Sequence, residues 1–226
     1  MKTIKLVVLD MAGTTVDEDN VVYKTVQKVI NDKGFHVSLE EVLEHGAGKE
    51  KHQAITDVLV ACTDTENVTD TAASAFANFK PELKLAYEQL DVKTFPGVKE
   101  TMEALRSAGI AVVLNTGYDR KTASSLLTKL NWEIGKDIDG LVTADDVTIG
   151  RPGPDMILKA MDICTISNPE EVLKAGDSTI DILEGKNAKC GLTVGVLSGA
   201  QNANQLKTAE PDYILENVVG LRDILL

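Results

Sequence analysis

Basic residues, aromatics and cysteines are all scarce in this chain of 226 residues. Lys and Arg number 23 against 35 Asp and Glu, which leaves a net charge of −12. Such a surface repels nucleic acid and anionic membranes, so neither is an expected partner. Aromatics make up only 4%, with one Trp, so platforms for base stacking are not expected either. Cys62, Cys164 and Cys190 are odd in number and scattered, and they form no Cys-x-x-Cys pair. That pattern points to buried thiols, not to a zinc site or a disulfide framework. No apolar run approaches the ~18 residues that cross a bilayer. The opening Met1-Lys2-Thr3-Ile4 leads into a short apolar run ending at Asp10, too short for a secretory leader and without a small-residue cleavage site after it. The expectation is a cytoplasmic protein.

What is present is a globular composition, 43% hydrophobic and 26% charged. Residues 4–9 form a short β-branched run that stops at a polar, glycine-containing loop, the mark of a buried strand. Residues 17–90 then read as almost wholly helical. Val22, Val26, Val29 and Ile30 recur at helical spacing before Gly34, and Ser38 with Glu41 makes a capping box. Further helices are expected over 49–60, 70–79 and 81–90. After Phe95-Pro96-Gly97 the rhythm changes. Short apolar runs at 110–114, 141–143, 172–175, 192–196 and 213–215 alternate with helical stretches at 98–108, 120–130, 154–161, 178–188, 202–208 and 219–225. Strands alternating with amphipathic helices predict an α/β fold, a doubly wound parallel sheet covered on both faces. The expected division is a discontinuous core of residues 1–16 and 91–226, with residues 17–90 inserted after the first strand.

In an open parallel sheet, ligands bind outside the carboxyl ends of the strands. Asp10 follows the first strand and Thr116-Gly117 the second. Arg151 follows the third after a loop, and Gly176-Asp177 the fourth, with Asp181 one helical turn on. Singly, each has an ordinary explanation: a turn for Asp10, a helix N-cap for Asp177, a loop hydroxyl for Thr116, a solvated face for Arg151. Jointly they form one chemical set. Carboxylates with an open position suit Mg²⁺. A cation and a hydroxyl suit a phosphoryl group. A carboxylate nucleophile can divide phosphoryl transfer into two steps through an aspartyl-phosphate.

The stretch Asp10-Met11-Ala12-Gly13-Thr14-Thr15-Val16-Asp17 resembles the first motif of the haloacid dehalogenase superfamily, DxDGTxxD. Thr116 resembles the second motif, Arg151 the third, and Gly176-Asp177-Ser178-Thr179-Ile180-Asp181 the fourth, GDxxxD. The resemblance implies a Rossmann-like core with a helical cap inserted at residues 17–90. It implies Asp10 as nucleophile, and Mg²⁺ held by Asp10, the Ala12 carbonyl and Asp177, with Asp181 acting near the metal. It also implies phosphate binding by Thr116, Gly117 and Tyr118, and charge neutralisation by Arg151. Ala12 stands where most of the superfamily carries the Asp that protonates an alcohol leaving group. Ala at that position, Arg in the third motif, and the segments Asn115-Thr116-Gly117-Tyr118 and Gly150-Arg151-Pro152 resemble the phosphonatase (phosphonoacetaldehyde hydrolase) family. There a cap lysine forms an imine with an aldehyde, so that the C–P bond breaks toward an enamine. Lys49 falls 39 residues after Asp10, near that family's imine lysine. His52 matches its active-site histidine, and His45 and Gly46 fall in the cap pocket. Lys49 and His52 are expected on one helical face, i and i+3. Met11, Asn20 and His45 depart from that family's usual residues.

Three activities stay open on this reading. One is C–P cleavage of phosphonoacetaldehyde or a related small phosphonate. Another is hydrolysis of a small phosphate monoester, with an acid supplied by the cap. The third is a weakly active regulatory protein that binds phosphate. The stripe of Val22, Val26 and Val29 suits either a homodimer contact or packing inside the insert.

Overall fold

The computed structural model describes residues 3–47, 49 and 51–226. Met1 and Lys2 of the opening segment, and Gly48 and Glu50 beside Lys49, lie outside the described residues. In chain order the elements are β1 (Leu6–Asp10), β2 (Val16–Asp17), α1 (Val21–Asn31), α2 (Leu39–Gly46), α3 (Lys51–Cys62), α4 (Val68–Gln89), β3 (Lys93–Thr94), α5 (Val98–Ser107) and β4 (Ala111–Thr116). They continue with α6 (Arg120–Leu130), β5 (Gly140–Thr143), α7 (Asp155–Ile163), β6 (Val172–Gly176), α8 (Thr179–Asn187), β7 (Leu192–Val196), α9 (Ala203–Lys207), β8 (Tyr213–Leu215) and α10 (Leu221–Leu225). The chain divides into two compact units, residues 18–91 and the remainder. Among the described residues no helix is long and apolar enough to cross a membrane.

The larger unit is built on a six-stranded sheet in the order β5-β4-β1-β6-β7-β8, parallel throughout. Every residue of β1 is buried. A Leu/Val run without polar alternation behaves this way when both faces of the strand are covered. Leu6 and Val8 pack with Val113, Val142 and Val172 against Met156, Ile157 and Ala160 of α7. Helices α5 and α8 lie along β4 and along β6 and β7. The doubly wound α/β architecture expected from the sequence is therefore present. The chain runs outward from β1 through β4 to β5, then returns to β6 on the other side of β1. This reversal opens the crevice at the carboxyl ends of β1 and its neighbours where such folds bind ligands.

A two-stranded ribbon escaped the sequence reading. β2 pairs antiparallel with β3, Val16 opposite Thr94 and Asp17 opposite Lys93. Thr94 Oγ1 also donates to the Thr15 carbonyl at 3.0 Å. The ribbon joins the points where the chain leaves and re-enters the larger unit.

The smaller unit holds α1 to α4. Val22, Val26, Val29 and Ile30 of α1 are buried, and α1 packs on α2, α3 and α4. The valine stripe therefore serves the unit's own core. Two expectations need correction here. Residues 70–79 and 81–90 do not form separate helices, because α4 runs unbroken with Pro81 inside it. Proline removes one intrahelical bond, and burial of Ala72, Ala75 and Phe79 along α4 offsets that loss. Lys49 is not on a helix. α2 ends at Gly46, Ala47 turns to extended backbone at ψ 138°, and α3 starts only at Lys51. The helix stops at Gly46, since glycine loses the most backbone freedom in a helix.

Leu6 is fully buried at the centre of the larger unit's core. Leu6→Ala is expected to lower stability by about 2–5 kcal/mol, read from the urea-unfolding midpoint. A loss under about 1 kcal/mol would contradict the packing described.

Candidate active site

Asp10 is the last residue of β1, opposite Asn115 of β4. The chain then folds back tightly. The amides of Thr14, Thr15 and Val16 all donate to the Met11 carbonyl, and Thr15 Oγ1 donates to the Asp10 carbonyl at 2.9 Å. Gly13 has φ +71°, and a Cβ there would strike the Asp177 carboxylate and lie 2.8 Å from Gly199 Cα. The glycine is needed for both its backbone angle and its proximity to Asp177. Ala12 sits in this loop, bridging to Val16, and brings only a methyl side chain to the site.

Asp177 follows β6. Its Oδ2 accepts from the Ala200 amide at 2.7 Å, in the loop after β7. It is not the N-cap of α8. Ser178 fills that position and forms a capping box with Asp181, which accepts from the Ser178 amide and hydroxyl at 3.2 and 2.6 Å. Asp10, Asp177 and Asp181 are all buried, and each offers an oxygen within 4.8 Å of the others'.

Arg151 reaches this cluster from the loop before α7. Its Nη1 lies 2.8 Å from Asp10 Oδ1 and 3.1 Å from Asp181 Oδ1. Its Nη2 donates to Asn115 O and Oδ1 at 2.7 and 2.8 Å, and Nε stands 3.3 Å from Glu184 Oε2. Thr116 ends β4, with its Oγ1 accepting from the Tyr118 amide at 3.2 Å. Gly117 is exposed, and Tyr118 accepts the Ala144 amide at its carbonyl. The sheet thus gathers Asp10, Ala12, Thr116, Gly117, Tyr118, Arg151, Asp177 and Asp181 at its carboxyl edge.

The remaining candidates belong to the helical unit. His45 lies in the last turn of α2 and Gly46 ends it. Lys49 forms an ion pair with Asp57 of α3, which also accepts from Gln53. The hydrogen bond from Lys49 holds the Asp57 carboxyl below its ordinary value. His52, on α3, stands edge-on to the Phe76 ring, with centroids 5.3 Å apart. Lys49 in the connecting turn and His52 in the helix do not form the expected i, i+3 face.

Electrostatics set the larger unit's cluster apart. Burial raises the Asp10 carboxyl, Arg151 opposes that effect, and Asp181 adds to it, for a net rise. Burial, then repulsion from Asp10 and Asp181, pushes Asp177 well above its ordinary value. Asp181 goes the other way: burial would raise it, but Lys174 and Arg151 lower it further. Burial works against the Arg151 charge, yet Asp10, Asp181 and Glu184 outweigh it and hold the guanidinium charged. Asp181 Oδ1 accepts no well-directed hydrogen bond, although two cations lie close to it. Asp10, Asp177, Asp181 and Glu184 face the cations Arg151 and Lys174, an excess of two negative charges. Hard oxygen donors with that excess fit a divalent cation.

Sequence reasoning missed Asn115, Lys174 and Glu184, and the Ser198-Gly199-Ala200 loop that closes on Asp177. One signal was available. Lys174 interrupts an otherwise apolar strand, and a charge buried there must be paired.

The fold and this edge define a hydrolase of the Rossmann-like α/β type. The haloacid dehalogenase-like hydrolase family model matches residues 7–195, and the chain belongs to that family. A phosphonoacetaldehyde hydrolase of Bacillus cereus is 30% identical over 233 residues, covering 97% of this chain and 84% of the relative. A pyrophosphatase of Oceanobacillus iheyensis is 26% identical over 224 residues, covering 99% and 97%. The crystal structure of a phosphonoacetaldehyde hydrolase-like protein from Oleispira antarctica superposes with a TM-score of 0.79 at 24% identity, over 98% of this chain and 91% of that one.

In EDTA, Asp177→Asn is expected to stabilise the protein, because it removes a carboxylate repelled by its neighbours. A raised carboxyl favours the fold while protonated and opposes it once ionised. The gain is therefore absent below the ordinary value of 3.8 and grows as pH rises toward neutrality. Melting curves from pH 4 to 7 test this, and a variant less stable than wild type at pH 7 in EDTA contradicts the electrostatic reading.

Proposed function

We propose that this chain is a Mg²⁺-dependent phosphohydrolase that works through an aspartyl-phosphate, of the phosphonatase-like kind. The observation that carries this reading is Asp10, held at a strand end between Arg151 and the carboxylates Asp177 and Asp181. Asp10 Oδ attacks phosphorus, and the bond from phosphorus to the leaving group breaks with its electrons departing on carbon or oxygen. Water then hydrolyses the acyl-phosphate, releasing phosphate and restoring the Asp10 carboxylate. Asp10, Asp177, Asp181 and the Ala12 carbonyl would hold Mg²⁺, which when bound neutralises charge between nucleophile and phosphoryl group. Arg151 stabilises charge on the transferring oxygens, and Thr116 with the Gly117 and Tyr118 amides binds them. Asp10→Asn keeps the fold but cannot form the acyl-phosphate. Its phosphate release is expected to fall below a few per cent of wild type, and EDTA is expected to abolish wild-type release. Substantial release by the variant, or full release in excess EDTA, would refute the mechanism.

The leaving group is the finer question. Ala12 removes the carboxylic acid that would protonate an alcohol, and relatives named phosphonoacetaldehyde hydrolase support C–P cleavage. In that reading the helical unit is a cap. Lys49 gives its proton to Asp57 and condenses with the aldehyde, expelling water and forming a protonated imine. As Asp10 takes phosphorus, the C–P electrons flow into the enamine. A protonated His52 then donates to its carbon, and water hydrolyses the resulting imine to free the aldehyde product and Lys49. His45 and Gly46 shape the pocket. The Lys49–Asp57 pair itself favours a second reading, ester hydrolysis, in which Lys49 stays a fixed cation for the substrate. Borohydride with phosphonoacetaldehyde is expected to inactivate the enzyme and leave a reduced adduct at Lys49, and Lys49→Arg to lose C–P cleavage. No adduct, together with ester turnover by Lys49→Arg, selects the ester phosphatase.

A further inference from the structure

Lys174 lies mid-strand in β6, fully buried in a segment whose other residues are apolar or glycine. Its ammonium faces three oxygens: Asn115 Oδ1 at 2.7 Å, Asp181 Oδ1 at 2.9 Å and Glu184 Oε2 at 3.3 Å. Arg151 is held by the same three atoms, at 2.8, 3.1 and 3.3 Å. Asn115 Nδ2 fixes Glu184 in turn, donating to both carboxylate oxygens at 2.8 and 3.1 Å. The fold leaves room for the lysine stem, because a Cβ on Gly185 would stand 2.9 Å from Lys174 Cβ.

Charge balance gives this arrangement a purpose. Without Lys174, the Arg151 guanidinium would be the cation nearest to Asp181 and Glu184 as well as to Asp10. Two buried carboxylates would draw it inward, away from Asp10. A buried charge that loses its partner is costly enough to drive such a shift. With Lys174 in place those carboxylates have a second cation, and Nη1 remains 2.8 Å from Asp10. We propose that Lys174 is a positioning residue: through the oxygens of Asn115, Asp181 and Glu184 that it shares with Arg151, it holds the guanidinium in line with Asp10 and the phosphoryl group. The inference rests on the reading of Asp10 and Arg151 as the reacting pair.

The test uses the full chain with Mg²⁺ and p-nitrophenyl phosphate. Lys174→Gln keeps a donor without the charge. Lys174→Met with Glu184→Leu removes a cation and a carboxylate together, which leaves the net charge of the cluster unchanged. Both are expected to stay folded by melting temperature, yet to lose ~10–100-fold in kcat with KM changed less than ~3-fold, as misalignment predicts. In an Arg151→Ala background the same substitutions are expected to change the residual kcat less than ~2-fold, because the group they act through is gone. Equal losses with and without Arg151, or unchanged kcat in a folded variant, overturn the proposal. Failure of both variants to fold assigns Lys174 to the core alone and overturns it too. Wild-type turnover that does not require Asp10 overturns the parent reading, and this one with it.

Discussion

Everything at the carboxyl edge of the sheet depends on one constraint: four buried carboxylates must be tolerated beside two buried cations. Asp10, Asp177, Asp181 and Glu184 converge where solvent is excluded, and Arg151 and Lys174 answer only part of their charge. Isolated buried ions are costly, so such a group persists only where the surrounding fold over-determines it and function needs it. The residual repulsion falls on Asp177, whose carboxyl is pushed well above its ordinary value by burial and then by Asp10 and Asp181. Hard carboxylate oxygens crowded in this way fit a divalent cation.

The sheet imposes this crowding. β1 sits between β4 and β6, so Asp10 and Asn115 come opposite one another, and Gly176 brings Asp177 to the same edge. Loop geometry completes the set. Gly13 lets the turn after β1 press against Asp177, and Ala200 reaches the same carboxylate from beyond β7. The helical unit is built on ordinary apolar packing, and its Lys49 pairs with Asp57 of the same unit.

Much of this was legible in the sequence. Short apolar runs gave the strands of the large sheet to within one or two residues, because a strand covered on both faces cannot alternate. The candidate residues followed from reading what stands after each strand. The failures have physical causes. The β2–β3 ribbon pairs two residues with two and carries no periodicity. Pro81 marks a break only where packing does not override it. Lys49 lies beyond the end of α2 at Gly46, so helical spacing does not carry to it. The Lys174–Asn115 and Asn115–Glu184 contacts span 59 and 69 residues, so no local pattern records them. A lone lysine in an apolar strand was the only trace of that network in the sequence.

The central claim is that Asp10 carries the phosphoryl group between two steps. The enzyme can be quenched in acid during turnover of a small phosphate ester, then reduced with borohydride, which converts an aspartyl-phosphate to homoserine. Peptide mass spectrometry should find homoserine at position 10, with Asp177 and Asp181 unchanged. An unmodified Asp10 in samples quenched at steady state with slow dephosphorylation, or homoserine at another aspartate, would contradict the account.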